Sequence, residues 1–216
     1  MMQQLSEQSV NRALEWAWES VIEGSIPGVA TAGELAADYR RALANPTDGA
    51  TSLVRWQTSK AGVAGFATGL GGLLTLPVSV PANLASVLVI QLRMVAAVAI
   101  LGGHDVRSDQ VKTLAFACLV GKGVSDVLKQ GGVQLGNKLG VAAVGKVSGA
   151  ALTKINQAVG FRLVTKFGET GLINLGKLVP FIGGPIGGTF DSVQTWGVGK
   201  AAIKLFLGQE PVPAQA

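Results

Sequence analysis

From Ala61 to Leu92 the chain runs 32 residues without a charged side chain. Glycine and alanine crowd its first part, Pro77 and Pro81 interrupt its middle, and Arg93 closes it. An apolar surface of that length has to be covered by other helices, by a partner or by lipid. Length alone permits a membrane span, since about 20 apolar residues cross a bilayer as a helix. Three features count against a plain span. Small residues fill 61–72, the two prolines break a continuous helix, and Arg93 falls near the centre of the following apolar run, where a charge in hydrocarbon is costly. That run, Ala82 to Leu101, is apolar around nearly its whole circumference, which is the pattern of a central core helix or a membrane helix. The favoured expectation is a core helix preceded by a Gly/Pro-rich hairpin. Shallow insertion and a true span are the alternatives.

Composition narrows the class. Only 14% of the 216 residues are charged, against about 25% in ordinary soluble domains, and the mean hydropathy is +0.41. The net charge of +5 is uneven: residues 1–60 hold five basic and seven acidic residues, −2, and residues 61–216 hold thirteen and six, +7. A chain that is both apolar and cationic suits anionic lipid head groups. Nucleic acid is not expected as a partner, because there is one tyrosine and no arginine or lysine cluster interleaved with aromatics. Cys118 is the single cysteine. It lies in the apolar run LAFACLVG and reads as a buried small hydrophobe. The first 25 residues are polar and acidic, without the charged-then-apolar order of a secretory signal. A cytoplasmic protein peripheral to the inner face of the membrane is expected.

Helical periodicity dominates the rest. Residues 5–23 place Val10, Ala13, Leu14, Ala17, Val21 and Ile22 on one face. Trp16 falls among the polar residues and is either an interfacial anchor or packed under a neighbouring helix. A second helix spans 31–44. Asn45-Pro46 ends it, and Thr47 or Asp48 is expected to cap the next. Arg55, Trp56 and Lys60 then lead into the uncharged stretch, a basic and aromatic flank of the kind found at membrane interfaces. Gly102-Gly103 stops the 82–101 helix, and Ser108 caps a helix over 109–121. Cations then recur every seven to nine residues: Lys122, Lys129, Lys138, Lys146, Lys154 and Arg162. They form either a solvated face or one drawn to an anionic surface. Gly132, Gly136 and Gly140, and again Gly145 and Gly149, make GxxxG steps that let helices approach closely. A second break, Pro180-Phe181-Ile182-Gly183-Gly184-Pro185, precedes a closing helix over about 186–207. No strand pattern is found, and a disordered tail is expected from 208 to 216.

Three blocks resemble the EcsC protein family. They are GFATGLGGLLTLPVSVP followed by QLRM (Gln91 to Met94), GGHD at 102–105 followed by SDQVKTLAFACLVG, and KINQAVGFRLVTKFGETGLINLGKLVPFIGGPIGGTFDSVQTWGVGKAAIKLF at 154–206. The resemblance covers about residues 50–207. His104 stands where many family members carry an aromatic. The resemblance implies an α-helical, membrane-peripheral protein, with a transporter subunit as one possible partner class, and brings no catalytic residues with it.

The chemistry of sites is sparse. Gly140-VAAV-Gly145-Lys146 and Gly171-LINL-Gly176-Lys177 fit GxxxxGK, but Val147 and Leu178 replace the hydroxyl that would hold magnesium, and neither run follows a strand. One histidine and one cysteine, far apart, argue against a metal site. His104 is the only base a serine triad could use, and no GxSxG elbow exists. Arg93, His104, Asp105, Asp126 and Asp191 are expected as buried polar groups, the acids paired with Arg93 or a lysine. No catalytic residue, metal or cofactor is assigned.

The sequence therefore describes an all-α, compact multi-helix domain. It has N-terminal amphipathic helices over 1–48, a helical domain over 49–207 built on central apolar helices, and two Gly/Pro-rich apolar hairpins. The expected function is that of a non-catalytic accessory protein on anionic lipid. Contacts are assigned to Trp16, Trp56, Leu76, Pro77, Val80, Pro81, Pro180, Phe181, Ile182 and Pro185, with Lys122, Lys129, Lys138, Lys146 and Lys154 drawn to head groups. A soluble interaction module meeting a membrane protein, and a membrane-inserting effector, are the alternatives.

Overall fold

The helix starts and stops are written by side chains that satisfy the bare ends of the helical backbone. In a computed structural model, which describes residues 6–62, 82–133, 141–175 and 183–209, the first helix α1 spans Glu7–Glu23. Side chains are left aside at 60–62, 82–84, 86, 141–142, 167–175 and 183–191. The Ser6 hydroxyl accepts from the Ser9 N–H at 3.1 Å, and Gly24, at φ 78°, closes α1 in the left-handed conformation that glycine adopts without strain. Helix α2, Ala32–Ala42, opens on a capping box in which Thr31 and Glu34 exchange bonds. Helix α3 spans Pro46–Gly62. Its cap is Asn45, whose side-chain oxygen accepts from the Thr47 N–H at 2.9 Å. This corrects the expectation that Thr47 or Asp48 would cap it. Pro46 takes the first helical position, where its missing N–H costs nothing.

Helix α4, Ala82–Leu101, is the axis of the bundle. Leu88, Val89, Leu92, Val95, Ala96, Val98 and Ala99 are each 1% exposed or less. Helices α1, α2, α3, α5 and α9 all pack on it. Each fully buried large side chain contributes about 1.5–3 kcal/mol relative to exposure, so this helix carries much of the stability. Its apolar length is absorbed by protein. Among the described residues no helix is long and apolar enough to cross a membrane.

Ser108 caps α5, Asp109–Cys118, as the sequence predicts, accepting from Val111 N–H at 3.3 Å. A short 3-10 turn, Gly121–Gly123, leads to α6, Val124–Gln130. One turn of helix, α7, covers Val141–Val144. Helix α8, Gly149–Leu175, packs over α5, α6 and α1. Helix α9, Gly183–Leu207, lies against α3 and α4. It starts three residues earlier than the sequence suggests. Pro185 falls in its first turn, where a backbone N–H has no intrahelical partner to lose. The described residues contain no strand, and the fold is all-α and compact. The stretch 63–81, residues 134–140, the segment 176–182 and the tail from Glu210 lie outside the described residues, and with them the first expected hairpin and the start of the second, whose Gly183–Pro185 end is helical.

Candidate functional site

Four contacts fix how α3, α4 and α9 run past one another. The Ser192 hydroxyl donates to the Thr58 carbonyl at 3.3 Å, and Gly199 faces Val54, so α3 and α9 are antiparallel. Gln91 Nε2 donates to Thr195 Oγ1 at 3.3 Å, and Gly102 sits against the Phe206 carbonyl, so α4 and α9 are parallel. The end of α3 and the beginnings of α4 and α9 therefore share one end of the bundle. The uncharged residues 63–81 connect two of these ends, and 176–182 leads into the third.

Near that shared end the contact between the three helices is polar. Gln57, Gln91 and Thr195 are each 2% exposed, and by the register above they lie at one level of the bundle. Gln57 Oε1 and Gln91 Oε1 have no hydrogen-bond partner among the described residues. Small residues tighten the same contact, since Gly199 leaves room for Val54. The glycines that sequence reasoning selected do something else. Gly132 has φ 75° in a turn, and Gly145 sits in the turn between α7 and α8, so the 145–149 step does not lie on one helix. Gly136 and Gly140 lie outside the described residues.

The aromatic candidates divide. Trp56, on α3, is 55% exposed, one and a half turns before the helix ends. Trp16 is half-buried and packs against the core. Leu76, Pro77, Val80, Pro81, Pro180, Phe181 and Ile182 lie outside the described residues, as does the side chain of Pro185. Phe161 on α8 and Val193 on α9 are exposed large hydrophobics that the sequence reading did not select. A residue's place on a helix face is settled by its neighbours, and those are distant in sequence.

Among the cations, Lys122, Lys129, Lys146 and Lys154 are exposed and make no ion pair within the described residues. Lys129 and Lys154 flank the contact of Gly131 with Ile155 that joins α6 to α8. Lys138 lies outside the described residues. Arg162 is used locally, 3.6 Å from Asp126. Lys112 Nζ reaches Glu15 at 3.0 Å and Asp109 at 3.5 Å. Burial alone would lower its pKa, and the two carboxylates outweigh that and raise it. Lys166, which the sequence gave no reason to single out, is largely buried and donates to the Leu119 carbonyl at 2.9 Å. Burial pushes its ammonium down to about 8.

The polar residues expected in the interior fare differently. His104 is buried, 5% exposed, and bonded to Phe206. Asp105 is exposed, and its Oδ1 accepts from the Arg107 N–H at 2.9 Å in a local turn. Asp126 is exposed on α6. The expected burial of these two acids is thus corrected: apolar neighbours in sequence do not place an acid inside when its own helix face or turn points outward. Arg93 pairs with neither. Its Nη1 donates to the Ala30 carbonyl at 3.4 Å, and its pKa is lowered by burial. The Asp191 side chain lies outside the described residues. Burial raises the Cys118 thiol, which suppresses the reactive thiolate. No group of three or more metal-ligating side chains occurs among the described residues. Gly171, the start of one GxxxxGK match, lies inside α8, not in a loop after a strand.

No curated protein and no solved structure matches the chain. A family model described as the EcsC protein family matches residues 3–207. The match takes in α1 and α2 as well as the blocks from residue 50 onward, and both helices pack on α4. The chain belongs to the EcsC protein family.

Proposed function

We propose that this protein is a non-catalytic accessory protein that associates peripherally with anionic lipid surfaces. The supporting observation is the common end of α3, α4 and α9. The apolar stretch 61–81, with Pro77 and Pro81, and the segment carrying Pro180, Phe181 and Ile182 both adjoin it. Trp56, exposed at 55%, stands near the same end, preceded by Arg55. An amphipathic ring beside a cation suits the head-group level of a bilayer. Lys122, Lys129, Lys146 and Lys154 supply attraction of about 1 kcal/mol each close to an anionic surface.

The test is flotation of the full chain with vesicles of graded anionic content, with and without salt. Binding that grows with anionic lipid and weakens in salt supports the reading. Protein that is soluble without detergent and stays behind at every composition overturns it. Pull-down of a membrane protein partner would then be the next measurement.

A further inference from the structure

Arg93 is the one residue of α4 that brings a full charge into the central helix. Its guanidinium is half-covered, and no carboxylate lies within 4.0 Å of it among the described residues. Among the described residues it makes one bond, the 3.4 Å contact from Nη1 to the Ala30 carbonyl, longer than a good N–H···O bond. Nε is shut off from solvent and has no hydrogen-bond partner among the described residues. Burial lowers its pKa, and no acid raises it back. A sealed, unmatched donor on a charged group is costly to keep, while the two Nη groups reach solvent or the loop.

The pattern of used and unused donors is informative. With Nη1 turned to Ala30, the remaining edge consists of Nε–H and one Nη2–H. These two parallel donors are the side-on fork that receives two oxygens of a carboxylate or phosphate. Ala30 belongs to the α1–α2 loop and lines a groove of about 600 Å³ with Gly28, Val29, Glu34, Asp38 and Arg41. Its two acids are already engaged. Glu34 accepts from the N–H and hydroxyl of Thr31 at 2.8 and 3.1 Å, and Asp38 is paired with Arg41. Asp38 is thereby neutralised, and Glu34 keeps its charge with one oxygen, Oε2, tied to the Thr31 cap.

We infer that Arg93, beside the Gly28–Ala30 loop, is the binding residue for a phosphate-class oxyanion, held side-on by Nε and Nη2. The site stands apart from the lipid reading. The phosphate can be free in solution or carried on a lipid head group. Because Nε is sealed, the cover around it yields when the oxyanion enters, and the loop reports binding.

The experiment titrates the full chain with inorganic phosphate at fixed ionic strength, chloride making up the balance, and follows backbone amide resonances together with the thermal midpoint. Saturable shifts at Gly28 and Ala30 with a raised midpoint, and affinity about tenfold weaker in Arg93→Lys, which keeps the charge but loses the fork, support the site. Lys200→Gln, at an exposed position of α9, should leave this binding unchanged. Absence of saturable shifts in the native chain, or equal affinity in native protein and Arg93→Lys, overturns it. Arg93→Gln should abolish the binding; if it fails to fold, the native and Arg93→Lys titrations decide alone. Vesicles containing phosphatidic acid separate the two sources. If they displace inorganic phosphate from the loop, the head group is the ligand; if they leave its shifts unchanged, the ligand is free phosphate.

Discussion

His104 Nε2 lies 2.8 Å from the carbonyl oxygen of Phe206, and the two rings meet edge-on with centroids 5.1 Å apart. The carbonyl can only accept, so the imidazole donates from Nε2. The same turn brings Gly102 against that carbonyl, where a Cβ would stand 2.7 Å from the oxygen. The turn after α4 is thereby locked to the last residues of α9. His104→Ala should lower the unfolding free energy by about 2–3 kcal/mol, combining a lost buried bond with a cavity. Urea denaturation measures it, and a change within error would show that the contact is dispensable.

The fit of Val54 into the space left by Gly199 should appear as strong coupling. Gly199→Ala puts a methyl where the stiff Val54 side chain already sits and should cost about 1–3 kcal/mol. Adding Val54→Ala should recover part of that loss, a non-additivity of about 1 kcal/mol or more in a double-mutant cycle.

Lys166 sets a pH dependence. Its folded pKa, about 8, lies below the unfolded value of about 10.4. Between those values the unfolded chain holds a proton that the folded chain has released, so stability rises as pH increases through that window. From pH 7.5 to 9.5 the native protein should gain about 1–2 kcal/mol relative to Lys166→Met. Guanidinium melts of both proteins across that range provide the check, and parallel curves would refute it.

Arg93 and Asp105 should be uncoupled. The sequence suggested that they pair, and loss of either would then have stranded the other. With Asp105 turned to the Arg107 N–H and Arg93 to Ala30, Arg93→Met and Asp105→Asn should add within about 0.5 kcal/mol. A coupling of several kcal/mol would place them in contact.

What could be read in advance followed from signals that are local. The core role of 82–101 was visible because apolar residues surround that helix on every side. Ser108 announced α5 because a cap acts over three residues. The Asn45-Pro46 pair was half-read: it was seen as the stop of one helix, while the same two residues start the next. Misplacements arose where the deciding partner is remote. Asp126 looked interior among valines and leucines, yet the short α6 turns it toward Arg162 on α8. Lys166 drew no notice in the sequence, yet it lies over the Leu119 carbonyl at the end of α5. Val54 and Gly199 meet across 145 positions, and no spacing rule links them. The N-terminal helices read as an addition to the domain because the recognisable blocks begin near residue 50, whereas both pack on α4.

The place of α9 between α3 and α4 bears on how the protein is made. During synthesis α4 leaves the ribosome about a hundred residues before its last neighbour exists. Until the 25 residues of α9 emerge, one flank of the most apolar helix is uncovered, and the sequence-distant α3–α9 contact delays its closure. Loss of α9 would leave that flank of α4 bare, and such a chain is expected to aggregate rather than merely to lack a tail.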